Sequence, residues 1–500
     1  MGRVFAFRRV VLCCTECVQV SLLGVYRANN GGWRVPRVVA AVAFAVLSQA
    51  PLGASADTLP WALTQAYQNN PQINAQRAAV RATDETVPTA LSGYRPRVSA
   101  TASATEQYLD TTTKSTNPFS GVTTFSTTAG SQPVGTYGAT VTQNLFNGYV
   151  TASRTRQAES QVSAARETLR TTEQTVLLNA ATAYMNLLRD TAILDLQRRN
   201  IEVLQEQQRQ VRDRFNVGEV TRTDVAQSES RLAAGRSSML TAESNLTTAR
   251  AFYRQVIGVD PGKLAPGTPV DRLSPADLAR AIVEARARHP SVTTAMFNID
   301  AAVLQVKISE GALYPTLNLV GTAQKTHGST SSLTTVGTLS AAVGGQLTVP
   351  LYQGGSEYSA IRQAKETLGQ RRVDLDTARD QAQQVLVQAW GQLQAAKAQI
   401  LSTQAQVDAS EIALNGVREE ARVGQRTTLD VLNAQQELVN ARVAMVTAQR
   451  DRVVASYTVL AAAGRLSPQV LGLSVAIYDP AVHYHQVRDN WIGVRTPDGK

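Results

Sequence analysis

The sequence predicts a mainly α protein with a transmembrane β-barrel part, in which a unit of helix, two strands and long helical hairpin occurs twice. Three observations carry this prediction. The 500-residue chain matches itself at a fixed offset. Each copy holds two segments of period-two alternation, and each then enters a helical stretch too long for a compact globule. The composition agrees: aromatics are only 5%, while Ala, Gln, Thr, Arg and Val abound, which suits long helices packed through small residues.

The first 56 residues read as a leader region. Arg34 and Arg37 form a positive flank, Val38 to Ala50 is a short apolar stretch, and Ala54-Ser55-Ala56 is a small-residue cleavage site, so the mature chain is expected to start at Asp57. Residues 1–33 precede the natural start of such a leader. After Ala56, no apolar run reaches the ~20 residues that a membrane helix needs. The leader carries a net charge of +5, so the formal +10 of the whole chain falls to about +5, a weak argument for nucleic acid. All three cysteines (Cys13, Cys14, Cys17) leave with it, so the mature chain is expected to have no disulfide and no thiolate chemistry, and the absence of a Cys after the cleavage site argues against an N-terminal lipid anchor.

The duplication sets the organisation of the rest. At an offset of 206, Leu145 meets Leu351, Gly148 meets Gly354, Val217-Gly218 meets Val423-Gly424, Thr221 meets Thr427 and Asp224-Val225 meets Asp430-Val431. Upstream the offset is 219, with Pro71 on Pro290 and Pro96 on Pro315. The first copy therefore carries 13 extra residues, expected as a loop in the Thr/Ser/Gly-rich stretch from Thr111 to Gly135. The units span 57–258 and 275–464, joined by a linker over 259–274 and followed by a tail over 465–500.

Each unit opens with a helix, Leu59 to Leu91 and Pro275 to Leu313. Strands follow at about 96–107, 137–147, 315–326 and 339–352. Val98, Ala100, Ala102 and Ala104 share one face, as do Tyr137, Ala139 and Val141, and later Leu339, Ala341, Val343, Gly345 and Leu347. Segments of about ten residues, apolar on one face and small and polar on the other, match lipid-facing barrel strands. A soluble hairpin with one face on a core shows the same alternation; the leader favours the barrel. From Tyr149 to Asn216 neither Pro nor Gly interrupts, which gives ~100 Å of helix that must project. Ala158, Val162, Ala165, Leu169 and Val176 form a coiled-coil-like stripe there. The hairpin tips fall at 217–224 and 423–430, where Gly ends one helix and Thr/Asp open the next.

Four strands cannot close a membrane barrel, because unpaired edge groups in lipid are too costly. The strands must be shared among several copies.

With these parts in place, the mature chain resembles the TolC family of outer-membrane channel-tunnels. The residues that carry the resemblance are Leu59, Ala62, Ala66 and Asn70-Pro71 of the opening helix, Gln143, Leu145-Phe146 and Gly148 with Leu351-Tyr352-Gln353-Gly354-Gly355 at the strand-to-helix junctions, and the two tip motifs. The tail, Tyr478-Asp479-Pro480 through Trp491 and Arg495-Thr496-Pro497, resembles the type I secretion branch. The resemblance implies a homotrimer with a 12-stranded barrel in outer-membrane lipid. It also implies a periplasmic helical tunnel, and an equatorial layer built from the linker and the tail. The implied partners are a periplasmic adaptor and an inner-membrane ABC exporter or RND pump. The chain would be a passive duct for protein, or alternatively the outer component of a multidrug efflux pump.

The resemblance also assigns the tips. Asp430 matches an acid lining the closed aperture, Arg426 a residue holding the closed state, and Asp224 a tip acid of the first hairpin. Val217, Gly218, Thr221, Val423, Gly424 and Thr427 set tip geometry and contact the adaptor. Two departures stand out, Asn433 where relatives often carry an acid and Ala421 where an aromatic latch can sit. Read from the residues alone, Asp224 and Asp430 are equally well capping acids of the return helix. His483 and His485 lack a third ligand for a metal site and read as tail residues. No phosphate-binding loop or nucleophile elbow is present, so no enzyme activity, cofactor or metal is expected. A rival of another class is a soluble periplasmic coiled-coil scaffold.

Overall fold

The computed structural model describes residues 57–331, 334–497 and 499. The leader prediction, including Ala54 and Ala56, lies outside the described residues. Each opening segment is broken where the sequence predicts one helix. The first becomes α1 (Leu59–Asn69), α2 (Pro71–Asp84) and α3 (Thr86–Leu91). In the second, α6 (Leu278–Arg288) and α7 (Pro290–Gly311) follow the linker. Two of the three breaks fall before Pro71 and Pro290, because a residue preceding proline is driven out of the helical region, and the third lies at Glu85. Asn70 and His289 are indeed extended, and their side chains accept from the backbone N–H of Gln72 (2.8 Å) and Ser291 (3.2 Å).

Four strands form one antiparallel sheet in sequence order: β1 (Arg97–Thr116), β2 (Thr123–Asn147), β3 (Thr316–Ser331) and β4 (Thr334–Thr348). The expected loop from Thr111 to Gly135 is not a loop. The extra residues lengthen the first hairpin, with Thr113 to Thr116 pairing with Thr123 to Ser126 and only residues 117–122 turning. β-branched side chains favour the strand, and cross-strand hydroxyls tie it at Thr112–Thr127 (2.9 Å) and Thr116–Thr123 (3.2 Å). β4 stops at Thr348, short of the expected 352, since nothing in one chain pairs with its last residues.

The long helices follow. α4 (Val150–Asn216) and α8 (Ser356–Arg422) each hold 67 residues, ~100 Å at 1.5 Å per residue. α5 (Arg222–Ile257) and α9 (Thr428–Ala462) return about half that length, and α10 (Pro480–Val487) lies in the tail. Gly258 ends α5 in the left-handed conformation (φ 89°). The main core sits where the half-length helices end. Leu63, Tyr67, Tyr184, Tyr253, Ile257, Leu460 and Leu466 are buried there. The linker joins this core: Asp57 bridges to Leu264, and the Tyr184 hydroxyl donates to the Ala265 carbonyl (2.6 Å). No described helix is long and apolar enough to cross a membrane.

At the foot of the sheet the chain turns from strand to helix through Gly148 (φ 65°) and Tyr149 (φ 62°). A Cβ on Gly148 would stand 2.7 Å from both the Gly311 carbonyl oxygen and Tyr314 Cβ. Gly148→Ala therefore combines backbone strain with a backbone clash. We expect a loss of about 1–3 kcal/mol, read as a lower midpoint of thermal unfolding in detergent.

Candidate functional site

The strand register creates a two-faced wall. Val98 lies opposite Val141, Ala100 opposite Ala139 and Ala102 opposite Tyr137. Ala139 lies opposite Ala323, and Ala323 opposite Ala341. These residues point to one side with Leu317, Leu319, Leu339, Val343 and Leu347, so the apolar faces of all four strands coincide. The other side aligns Ser99 with Thr140, Thr140 with Thr322, and Gln324 with Ser340. Asn144 donates from Nδ2 to Asn318 Oδ1 (3.0 Å) on that polar side. From Leu339 to Leu347 the apolar band runs about 25 Å along β4. Aromatic residues flank it. Tyr137 stacks on His327 (5.8 Å between centroids) at one border, and Phe146 meets Tyr149 edge-on (5.5 Å) at the other, near exposed Tyr94 and Tyr314. An apolar band between aromatic girdles is the lipid face of a membrane barrel.

At the opposite end of the long helices stand the two tips. Val217 and Val423 end their helices, and Gly218 (φ 82°) and Gly424 (φ 78°) turn the chain. Glu219 and Gln425 then donate their N–H groups to the carbonyls of Arg214 and Glu420 (both 2.9 Å). Each return helix opens with a capping box. Thr221 donates from N (2.9 Å) and Oγ1 (2.7 Å) to Asp224 Oδ2, and Thr427 does the same to Asp430 (3.0 and 2.9 Å). Asp224 and Asp430 thus serve their own helices through one oxygen. The Thr427 hydrogen bonds and the Arg426 charge hold the Asp430 carboxyl below the usual 3.8. Arg426 donates from Nε to Glu420 Oε2 (2.8 Å), which raises its already high pKa.

The tips are not independent. Leu432 of the second hairpin is buried among Ile201, Leu204 and Leu232 of the first. Arg231 donates from Nη2 to Asn433 Oδ1 (2.6 Å), and Gln435 from Nε2 to Asn200 Oδ1 (3.5 Å), while Arg418 donates to Gln435 Oε1 (3.0 Å) within the second hairpin. Sequence reasoning marks Asn433 only as a departure and misses Arg231, Asn200 and Gln435; the polar residues recurring on the apolar edge of α9 were the available signal. A groove of about 590 Å³ separates α4 from the second hairpin, lined by Glu206, Val211, Arg214, Ala421, Val431 and Leu432. His483 lies nowhere near these tips: its Nδ1 is 2.9 Å from Asp84 Oδ2, both buried, and burial raises the Asp84 carboxyl pKa. Among the described residues no cluster of His, Cys, Asp and Glu fits a metal ion.

A lipid-facing wall joined to helices of ~100 Å is the protomer of a channel, and comparison with known proteins agrees. The family model for outer membrane efflux protein matches residues 62–259 and 281–465. The chain belongs to the outer membrane efflux protein family, the TolC family. The outer membrane efflux protein BepC of Brucella suis biovar 1 is 40% identical over 448 residues, 89% of this chain and 94% of the relative. The alkaline protease secretion protein AprF of Pseudomonas aeruginosa is 26% identical, over 63% of this chain and 66% of its own. Among solved structures, the CmeC outer membrane channel of Campylobacter jejuni has the same fold, with a TM-score of 0.70 at 17% identity over 86% of this chain and 89% of that one. The protein is therefore an outer-membrane exit duct that extends into the periplasm, and the soluble scaffold is set aside.

The second capping box yields a check. Thr427→Ala removes the cap at a cost of about 1 kcal/mol, which is roughly a fivefold faster amide exchange over residues 428–432. The pH dependence follows from the lowered Asp430 pKa. Its contribution is fully present above the ordinary carboxylate value and is lost only as pH falls through the lowered one. Protection of the tip amides in the unsubstituted protein, taken relative to the intrinsic exchange rate at each pH, is therefore expected to stay unchanged down to about pH 4.

Proposed function

We propose that three copies of this chain close a 12-stranded barrel and form the passive exit duct of a type I secretion system. The observation that carries the reading is the sheet: two-faced across all four strands, open at both edges and continuous with helices of ~100 Å. A periplasmic adaptor grips the tips around Val217, Gly218, Thr221, Val423, Gly424 and Thr427, and the groove beside Val211 and Leu432 offers it an apolar seat. An inner-membrane ABC exporter supplies the energy. The likeness to AprF supports a protein cargo. A second reading, small-molecule efflux with an RND pump, is favoured by the more extensive likeness to BepC. Deletion of the gene separates the two. Loss of a secreted repeat-rich protein with unchanged drug susceptibility supports the first reading. Intact secretion with raised susceptibility replaces it with the second.

The gate in this reading is the second hairpin. Moving its tip outward breaks Arg231–Asn433 and draws Leu432 from its pocket, while the first hairpin stays as frame. Three Asp430 carboxylates ring the aperture and hold cations there. Arg426 and Asp224 steady the closed arrangement. Asp430→Asn keeps an oxygen acceptor for Thr427 and removes the charge, so helix capping and ring charge part company. In planar bilayers it is expected to abolish most of the block by multivalent cations with single-channel conductance retained; an unchanged block removes Asp430 from the gate.

A further inference from the structure

The C-terminal tail is the long segment that has no counterpart in the duplication. Its helix α10 lies on α2 through the buried His483–Asp84 contact. Tyr484 packs against Val87, Ala158 and Val162, with the Arg166 guanidinium 5.3 Å over its ring. Beyond α10 the chain leaves the equatorial region assigned to it by resemblance and reaches the foot of β1. Arg95 donates from Nη1 to the Asn490 carbonyl (2.6 Å), and its guanidinium lies 4.7 Å from the Trp491 ring. The stretch 491–494 is apolar and exposed. Trp491 is 68%, Ile492 96% and Val494 100% exposed.

The duplication says what stands beside this segment. The two strand hairpins share one register at their feet. Arg97 lies opposite Thr142 and Thr316 opposite Thr348, and the offsets of 219 and 206 superimpose these pairs. The join between hairpins, β2 to β3, is therefore a template for the join between copies, β4 to β1. Within the chain, Phe146 lies opposite Leu317 and Asn147 opposite Thr316. Carried over, the partner subunit's Tyr352 stands opposite Val98, and the partner subunit's Gln353 opposite Arg97. The foot of β4 is as bare as the tail: Leu351 is 91% and Tyr352 81% exposed in a single chain. The residues superimposed on them, Leu145 and Phe146, sit at the β2–β3 join, where the register shifts by one residue.

The helices agree with the strands. α7 packs on α4 as well as on α8, leaving a groove of about 390 Å³ lined by Arg156, Ser160, Val303 and Leu304. Val303 superimposes on Asp84, the residue that His483 covers. The corresponding groove between copies lies along α2, where α10 is seated.

We propose that the tail from α10 to Val494 is a clasp across the seam between copies, with Trp491, Ile492 and Val494 seated on the partner's Leu351 and the partner's Tyr352. Two apolar patches that are bare in one chain then cover each other. Aromatic and aliphatic anchors of this kind dominate interface energetics. Arg95 orders the Trp491 side before the partner arrives, which lowers the entropy lost on contact.

The inference rests on the reading that several copies close the barrel. Ile492→Cys, labelled with a benzophenone maleimide in outer-membrane preparations and irradiated, is expected to give an adduct of twice the chain mass, with the crosslinked peptide in the 349–369 stretch. Oligomers of unchanged native mass without that adduct overturn the clasp, and adducts to lipid alone assign the segment to the membrane surface instead. A monomeric native mass for the unsubstituted chain overturns the barrel reading itself, which is a separate result. A second variant uses no probe. Ile492→Asp with Val494→Asp leaves the fold of each copy intact, because both side chains are fully exposed. It is expected to lower by several degrees the temperature at which detergent-resistant oligomers dissociate, and an unchanged temperature overturns the clasp.

Discussion

A β-strand in lipid must pair every backbone N–H and C=O, and this chain carries too few strands to do so alone. β1 and β4 each leave one edge open, and no water reaches the hydrocarbon to satisfy it. The rest of the architecture depends on that shortfall of hydrogen bonds. Copies must meet edge to edge, so the wall must be two-faced with its apolar residues in one register. The helices leaving the wall inherit the same symmetry. They need length to cross the periplasm, and small side chains to lie close. Ala158, Ala164, Ala180, Ala181 and Ala183 are buried along α4 for that reason.

The duplication reduces the number of distinct joins. One chain already contains a strand seam between its two hairpins, and closure repeats it. The joins are not identical, however. At the internal seam Gly148 meets Gly311 and Tyr314, and any side chain on Gly311 would collide with Val150. The positions superimposed on Val150 and Gly311 are Ser356 and Ser92, so a large–none pair is replaced by two small residues. Space is conserved while its distribution changes. The internal seam has no tail over it; the outer one has α10 and Trp491 within reach. An interface made by association, without a covalent connection, has more need of such a contact, since joining separate copies costs translational and rotational freedom that a single chain does not lose.

Much of this was legible in the sequence because it is periodic. Alternation over Val98–Ala104 and Leu339–Leu347 marks strand faces. The Pro- and Gly-free run to Asn216 marks α4, and Gly followed by Thr and Asp marks both tips. Non-periodic features escaped. The stretch from Thr111 to Gly135 reads as loop by its Gly and Ser content, yet a run of threonines pairs it as strand once the register below is set. Nothing local connects His483 to Asp84, 399 residues away, or Arg95 to Asn490, 395 away. Contacts at such separation are products of tertiary packing, and only the fold brings them together. The end of β4 was missed for the opposite reason, since its partner belongs to another copy.

In the proposed gate, one tip acid serves two demands. Asp430 caps α9 through a single oxygen, and its carboxyl is held in the charged form by the Thr427 hydrogen bonds and by Arg426. In the proposed gate, a charge that is already fixed by the helix start costs no further ordering when it is presented to the aperture. Thr221 and Asp224 form the same box at the first tip, so capping alone does not distinguish the two. What differs is the surroundings. The second tip carries Arg426 on Glu420, and it is tied to the first by Leu432, Arg231–Asn433 and Gln435–Asn200. The first hairpin ends in Arg214–Glu219 and Arg212–Glu229, both within its own two helices. The second hairpin is braced within itself too, by Arg418–Gln435 and Arg442–Glu411, so in the proposed gate the contacts to be released are the few that join one hairpin to the other.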